Sequence, residues 1–203
     1  MLFTSCKEIS TKSDLEDSLE PVDEVSLISG TSNTTITVYK DRDSYFRIIF
    51  SGIGTNDIIS DGEKEGWCID WQKPINSSGG TYENIQLYST YNVEKWKPIN
   101  YLFNIIDDLY STIPEMTQRE IQLAVWTLRG NPEFDIAAID PNNSPLDDFF
   151  QNGEPLFSMT ILEEILEIVE AGYKTFDSEE SSRFAVIAET PVDVQTVITV
   201  VEK

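Results

Sequence analysis

The chain has 203 residues, 40% of them hydrophobic, and 14 lysines and arginines against 36 aspartates and glutamates, a formal net charge of −22. That length suits one compact core, and that charge repels phosphate backbones and anionic headgroups, which argues against nucleic acid and basic-patch membrane binding. Histidine is absent and cysteine occurs twice, which excludes Ser-His-Asp triads, Cys-His pairs, His-ligated zinc and Cys-rich metal sites. No phosphate-binding glycine motif occurs, so a nucleotide cofactor is not expected, and without histidine or a cysteine cluster neither is a metal. Paired carboxylates leave a hydrolase open in principle, but no pair stands out among so many acids. The acidic surface is read first as an aid to solubility and second as an attraction for basic partners.

The opening Met1-Leu2-Phe3-Thr4-Ser5-Cys6 is similar to the end of a bacterial lipoprotein signal, with small and apolar residues before a cysteine that would receive lipid. The basic and most of the apolar regions of such a signal are missing. The resemblance implies export to the bacterial cell surface, an outer-membrane lipoprotein anchored through Cys6 and touching the membrane only there. Otherwise Cys6 is a free thiol in a tail, or forms a disulfide with Cys68. Residues 7 to about 30 are rich in Ser, Asp and Glu, too polar to offset ordering entropy, and read as a tether. The expected organisation is a leader and tether over 1–30 and a single domain over 31–203.

Strands are expected at Thr34–Tyr39, Tyr45–Phe50, Gly66–Asp70 and Glu83–Tyr88, from β-branched or aromatic content and flanking turn residues. The period then changes. Ile99–Leu109 suits a helix apolar on more than one face. Thr117 and Glu120 form a capping box for the next helix, whose stripe is Ile121, Ala124, Val125 and Leu128, with Gly130 as a C-terminal stop. Asp140–Pro145 is a loop. Thr160 and Glu163 repeat the capping pattern before Leu162, Ile165, Leu166 and Val169, with Gly172 as a second stop. Arg183–Ala188 and Val194–Val200 are two closing strands around Pro191. Strands at both ends with helices between them give an α+β fold, a sandwich- or barrel-like core with a helical insertion.

Two segments carry the chemistry. Trp67-Cys68-Ile69-Asp70 sets a cysteine after an aromatic residue on a short strand, and Gln122-Leu123-Ala124-Val125-Trp126 sets a glutamine one turn before a tryptophan on the capped helix. Together they resemble the signature of bacterial thioester domains of surface adhesins, over roughly residues 34–203. Lys97–Asn104 is similar to the helix preceding the glutamine helix in that family, and Val194–Ile198 to its final strand. The resemblance implies that Cys68 and Gln122 join as an internal thioester with loss of ammonia. It also implies covalent attachment to a target amine, usually a lysine. Trp126 would shield the bond from water, Trp67 would support it, and Asp70, on the same side of its strand as Cys68, would at most assist. The family often has threonine where this chain has Ile121, which changes local geometry and not the reacting groups.

The expected protein is therefore a monomeric single-use reagent and not an enzyme, with a lysine-bearing protein or another surface amine as partner. Hydroxyl targets are disfavoured because no histidine is present to activate them. The alternative is a noncovalent protein- or glycan-binding module of the same fold, in which Cys68 is a buried small hydrophobe. An internal Lys–Asn isopeptide bond also suits such folds, but its partners are not legible in the sequence.

Overall fold

The computed structural model describes residues 22, 24–130, 133–141, 146 and 148–203. Seven strands form one antiparallel sheet: β1 (Ser26–Leu27), β2 (Thr34–Lys40), β3 (Phe46–Ser51), β4 (Gly62–Cys68), β5 (Ser78–Ser89), β8 (Arg183–Glu189) and β9 (Val197–Glu202). Their order is β1-β5-β2-β3-β4-β9-β8, and β8 pairs again with β5. Six strands thus close a barrel, with β1 as an extra strand on β5. β1 and the buried Ile28 lie inside the segment expected to be tether. Cys6 lies outside the described residues.

Alternation sets the barrel interior. Ile36 and Val38 of β2 and Phe46, Ile48 and Phe50 of β3 are buried, while their neighbours are partly exposed, as a period of two requires. The twelve-residue β5 serves three partners. It bends where Thr34 pairs with Ile85 but Ile36 with Tyr82, with Asn84 in the left-handed region (φ 58°); an extra residue of this kind increases local twist and lets a sheet curl.

Three helices lie between β5 and β8 in sequence: α1 (Lys97–Thr112), α2 (Gln118–Arg129) and α3 (Met159–Gly172). α1 packs on β8, α2 on β4 and α3 on α2. Asn100 and Asn104, one turn apart on α1, anchor it to β8: Asn100 Oδ1 accepts from Ala185 N (2.9 Å) and Asn104 Nδ2 donates to Arg183 O (2.6 Å). Arg183–Glu189 is buried over most of its length, as a strand covered on both faces must be. Among the described residues, no helix is long and apolar enough to cross a membrane.

Three local expectations are corrected. The cap of α3 is Ser158, whose Oγ accepts from Ile161 N, so Thr160 and Glu163 lie inside the helix. Gly130 is extended (φ −63°, ψ 146°), so α2 ends without a left-handed residue. Gly172 closes the last turn of α3 for a packing reason: a Cβ there would stand 2.0 Å from the Tyr101 hydroxyl of α1. The hairpin of β6 (Phe150–Gln151) and β7 (Glu154–Pro155) was not expected, although its Asn152-Gly153 turn, both residues at positive φ, is a strong hairpin signal.

Candidate functional site

Cys68 ends β4, where its register partner is Val197 of β9. Ile69 N donates to Thr196 O (3.1 Å), so the backbone of Cys68, one residue earlier, faces away from β9. The strand on that side, β3, pairs only as far as Phe46 with Gly66. The Gln122 side chain takes the vacant place. Its Oε1 accepts from Cys68 N (2.9 Å) and its Nε2 donates to Cys68 O (2.7 Å). A carboxamide has the donor and acceptor spacing of a peptide, so Gln122 continues the ladder in place of the missing β3 residue. Both residues have no exposed surface.

The position of Gln122 follows from how α2 begins. Thr117 Oγ1 accepts from Arg119 N (3.2 Å), and the Glu120 carboxylate accepts from Thr117 N (2.9 Å), the expected capping box. The other Glu120 oxygen accepts from Ser158 N (2.7 Å). One buried carboxylate therefore fixes the starts of α2 and α3 together, satisfying donors that a helix terminus leaves free.

Aromatic rings cover the pair. Trp126, one turn beyond Gln122, is 1% exposed and lies 5.1 Å from Phe149, 5.4 Å from Phe134 and 6.0 Å from Tyr45 between ring centroids. Burial pushes the Cys68 thiol well up, the nearby Asp70 carboxylate adds to this, and the Trp126 indole opposes it. The sulfur therefore rests as a protonated thiol in a site closed to solvent, and the Gln122 carboxamide is bonded to the backbone of the same residue, its oxygen accepting the Cys68 N–H.

Asp70 is fully buried. Its Oδ2 accepts from Thr196 N (2.6 Å), and Lys73 Nζ stands 3.5 Å from Oδ1. It ties the loop after β4 to the start of β9. Burial raises its pKa, against the Thr196 N–H and Lys73. A carboxyl raised in the folded state contributes stability below its unfolded pKa, and loses it as pH rises through the folded value. Asp70→Asn keeps an oxygen for Thr196 N and removes the buried charge, so urea denaturation at pH 7 is expected to find it unchanged or stabilised. Asp70→Ala orphans Thr196 N and is expected to cost about 1–3 kcal/mol. A larger loss for Asn than for Ala would contradict the assignment.

Trp67 is buried against Phe103 of α1, with centroids 6.0 Å apart, and so anchors β4 to a different helix from the one that holds Gln122. Ile121 is fully buried. Sequence reasoning missed Tyr45, Phe134 and Phe149, which enclose Trp126, and Trp71, whose ring is 5.4 Å from Phe134. They come from four separate loops or strand ends, and no local pattern marks them as a group. Among the described residues, no cluster of acids and cysteine is arranged to hold a metal ion. Comparison with protein-family models, with curated proteins and with solved structures finds no match to this chain.

Proposed function

We propose that the chain is an adhesin-type domain that joins Cys68 to Gln122 as an internal thioester and spends that bond once, on a primary amine of its target. The observation that carries this reading is the reciprocal pairing of the Gln122 carboxamide with the Cys68 backbone in a site closed to solvent. In the bond-forming step the Cys68 sulfur attacks Gln122 Cδ. Charge developing on Oε1 is met by the Cys68 N–H already aimed at it, an oxyanion donor in a dry site. The C–N bond breaks, and nitrogen takes the thiol proton and leaves as ammonia. The surrounding rings slow hydrolysis of the product. Export and a lipid anchor at Cys6 belong to the same proposal, as does a lysine-bearing surface protein for partner.

A second reading has its own observation. The Gln122 carboxamide is fully satisfied as a substitute strand residue, which suits a purely structural tie in a noncovalent module. Intact mass before and after methylamine treatment decides between them. The thioester protein is expected to be one ammonia light and to return as a methylamide on Gln122 with a free Cys68 thiol. Glutamate at 122 in the peptide map would record a bond formed and hydrolysed. Full mass with an unmodified glutamine would overturn the covalent reading.

A further inference from the structure

A cavity of about 370 Å³ is walled by Lys40, Tyr45, Trp71, Lys73, Leu146 and Asp148, and reaches Cys68 and Gln122 only through Tyr45. Tyr45 is its link to the buried bond: the ring packs on Trp126, and the hydroxyl is raised by burial first, then by Cys68 and Asp148, with Arg119 opposing. Asp148 is placed firmly with respect to Gln122. Its carbonyl accepts from Arg119 Nε (2.7 Å), and Arg119 sits on α2 one turn before Gln122. The Asp148 carboxylate, 42% exposed, already holds one ammonium group, that of Lys40. The other cation of the cavity, Lys73, is engaged by Asp70.

We infer that Asp148 is the docking residue for the ammonium group of the incoming target, and that Lys40 occupies this place until the target displaces it. The inference rests on the thioester reading and adds to it the chemistry by which the amine is recognised. Asp148 already pairs with an ammonium on an unbranched aliphatic stem, that of Lys40, and a target lysine presents the same group. Once docked, the ammonium gives one proton to solvent through the open cavity. Gln122 has no exposed surface at rest, so the Tyr45–Trp126 contact must part before the free amine attacks Gln122 Cδ, when the C–N bond forms and the C–S bond breaks. Cys68 leaves as thiolate and takes the second proton from nitrogen, a step that its burial favours. The products are a substituted amide at Gln122 and a Cys68 thiol.

Lys40 makes the test unusual in sign. Lys40 and Asp148 are both substantially exposed at the side chain (59% and 42%), so neither Lys40→Ala nor Asp148→Asn threatens the fold. The rate of mass gain with methylammonium chloride is measured on freshly purified protein, and each variant is first shown to be one ammonia light. Lys40→Ala is expected to react about two- to five-fold faster and Asp148→Asn about two- to five-fold slower, the range that an exposed ion pair of up to ~1 kcal/mol supports. The double variant should match Asp148→Asn, because Lys40 has nothing left to block. Lys174→Ala, which removes an equally exposed lysine from its pair with Glu170, should react at the wild-type rate and so separates docking from a change in overall charge. Wild-type rates in both Lys40→Ala and Asp148→Asn, or changes in the same direction, would overturn the inference and leave the thioester standing. A wild-type protein of full mass with an unmodified Gln122 would remove both.

Discussion

Cys68→Ala is expected to abolish covalent capture of amines and to cost about 4 kcal/mol in stability relative to the untreated protein. The first effect follows from losing the only sulfur at the site. The second follows from topology. The proposed bond, between residues 54 positions apart, would restrict the unfolded chain as a disulfide does, and a loop of that length is worth about 4 kcal/mol on the chain-entropy scale. Losing one buried sulfur alone contributes only about 1 kcal/mol. Chemical denaturation of three samples separates these contributions: untreated protein, methylamine-treated protein, and Cys68→Ala. Treated protein and variant should lie close together, both well below untreated protein. If all three fall within about 1 kcal/mol of one another, no cross-link was present.

Gln122→Ala is expected to lose capture as completely and to damage the fold by a different route. It leaves Cys68 N–H and C=O without partners in a site closed to water, at about 1–3 kcal/mol for each orphaned group. It also detaches α2 from the end of β4, so a total of roughly 3–5 kcal/mol is reasonable. Gln122→Glu is the informative companion, since glutamate is what hydrolysis of the bond would leave. Its carboxylate would face Cys68 O where the amide N–H now points, and burial would raise its pKa. The stability deficit should therefore be largest at neutral pH and shrink as pH falls and the carboxyl takes up a proton. A Gln122→Glu protein equally stable at pH 5 and pH 8 would show that the site admits water freely.

The parts of the fold legible in the sequence are those with local causes. The capping box at Thr117 and Glu120, the apolar stripe of α2 and the alternation of β2 and β3 each need only a few consecutive residues. The start of α3 was displaced because Ser158 and Thr160 are both good caps, and only packing chooses between them. The first half of β4, Gly62 to Glu65, is charged and mostly exposed, so it shows no alternation; it is a strand because β3 lies beside it. Closure of the barrel through β5 and β8 is a long-range pairing with no local signature. At the site, Cys68 and Gln122 stood out through a family resemblance, and the structure places them in direct contact. Tyr45, Asp148 and Lys40 did not stand out, because the cavity they line is assembled by segments remote in the chain.

The pairing of β4 with β9 also sets the order of events during synthesis. Gly66, Trp67 and Cys68 find their register against Thr199, Ile198 and Val197, on the last strand described. While the chain is still being made, Cys68 and Gln122 have both emerged long before the strand that holds Cys68 in place. Such late, non-local pairing is slow compared with helix formation, so α2 can form and wait while β4 has only one neighbour. Cys68 and Gln122 are enclosed together only when β9 seats and the barrel closes. A chain made only as far as the end of α2 therefore has both chemical groups but not the enclosure around them.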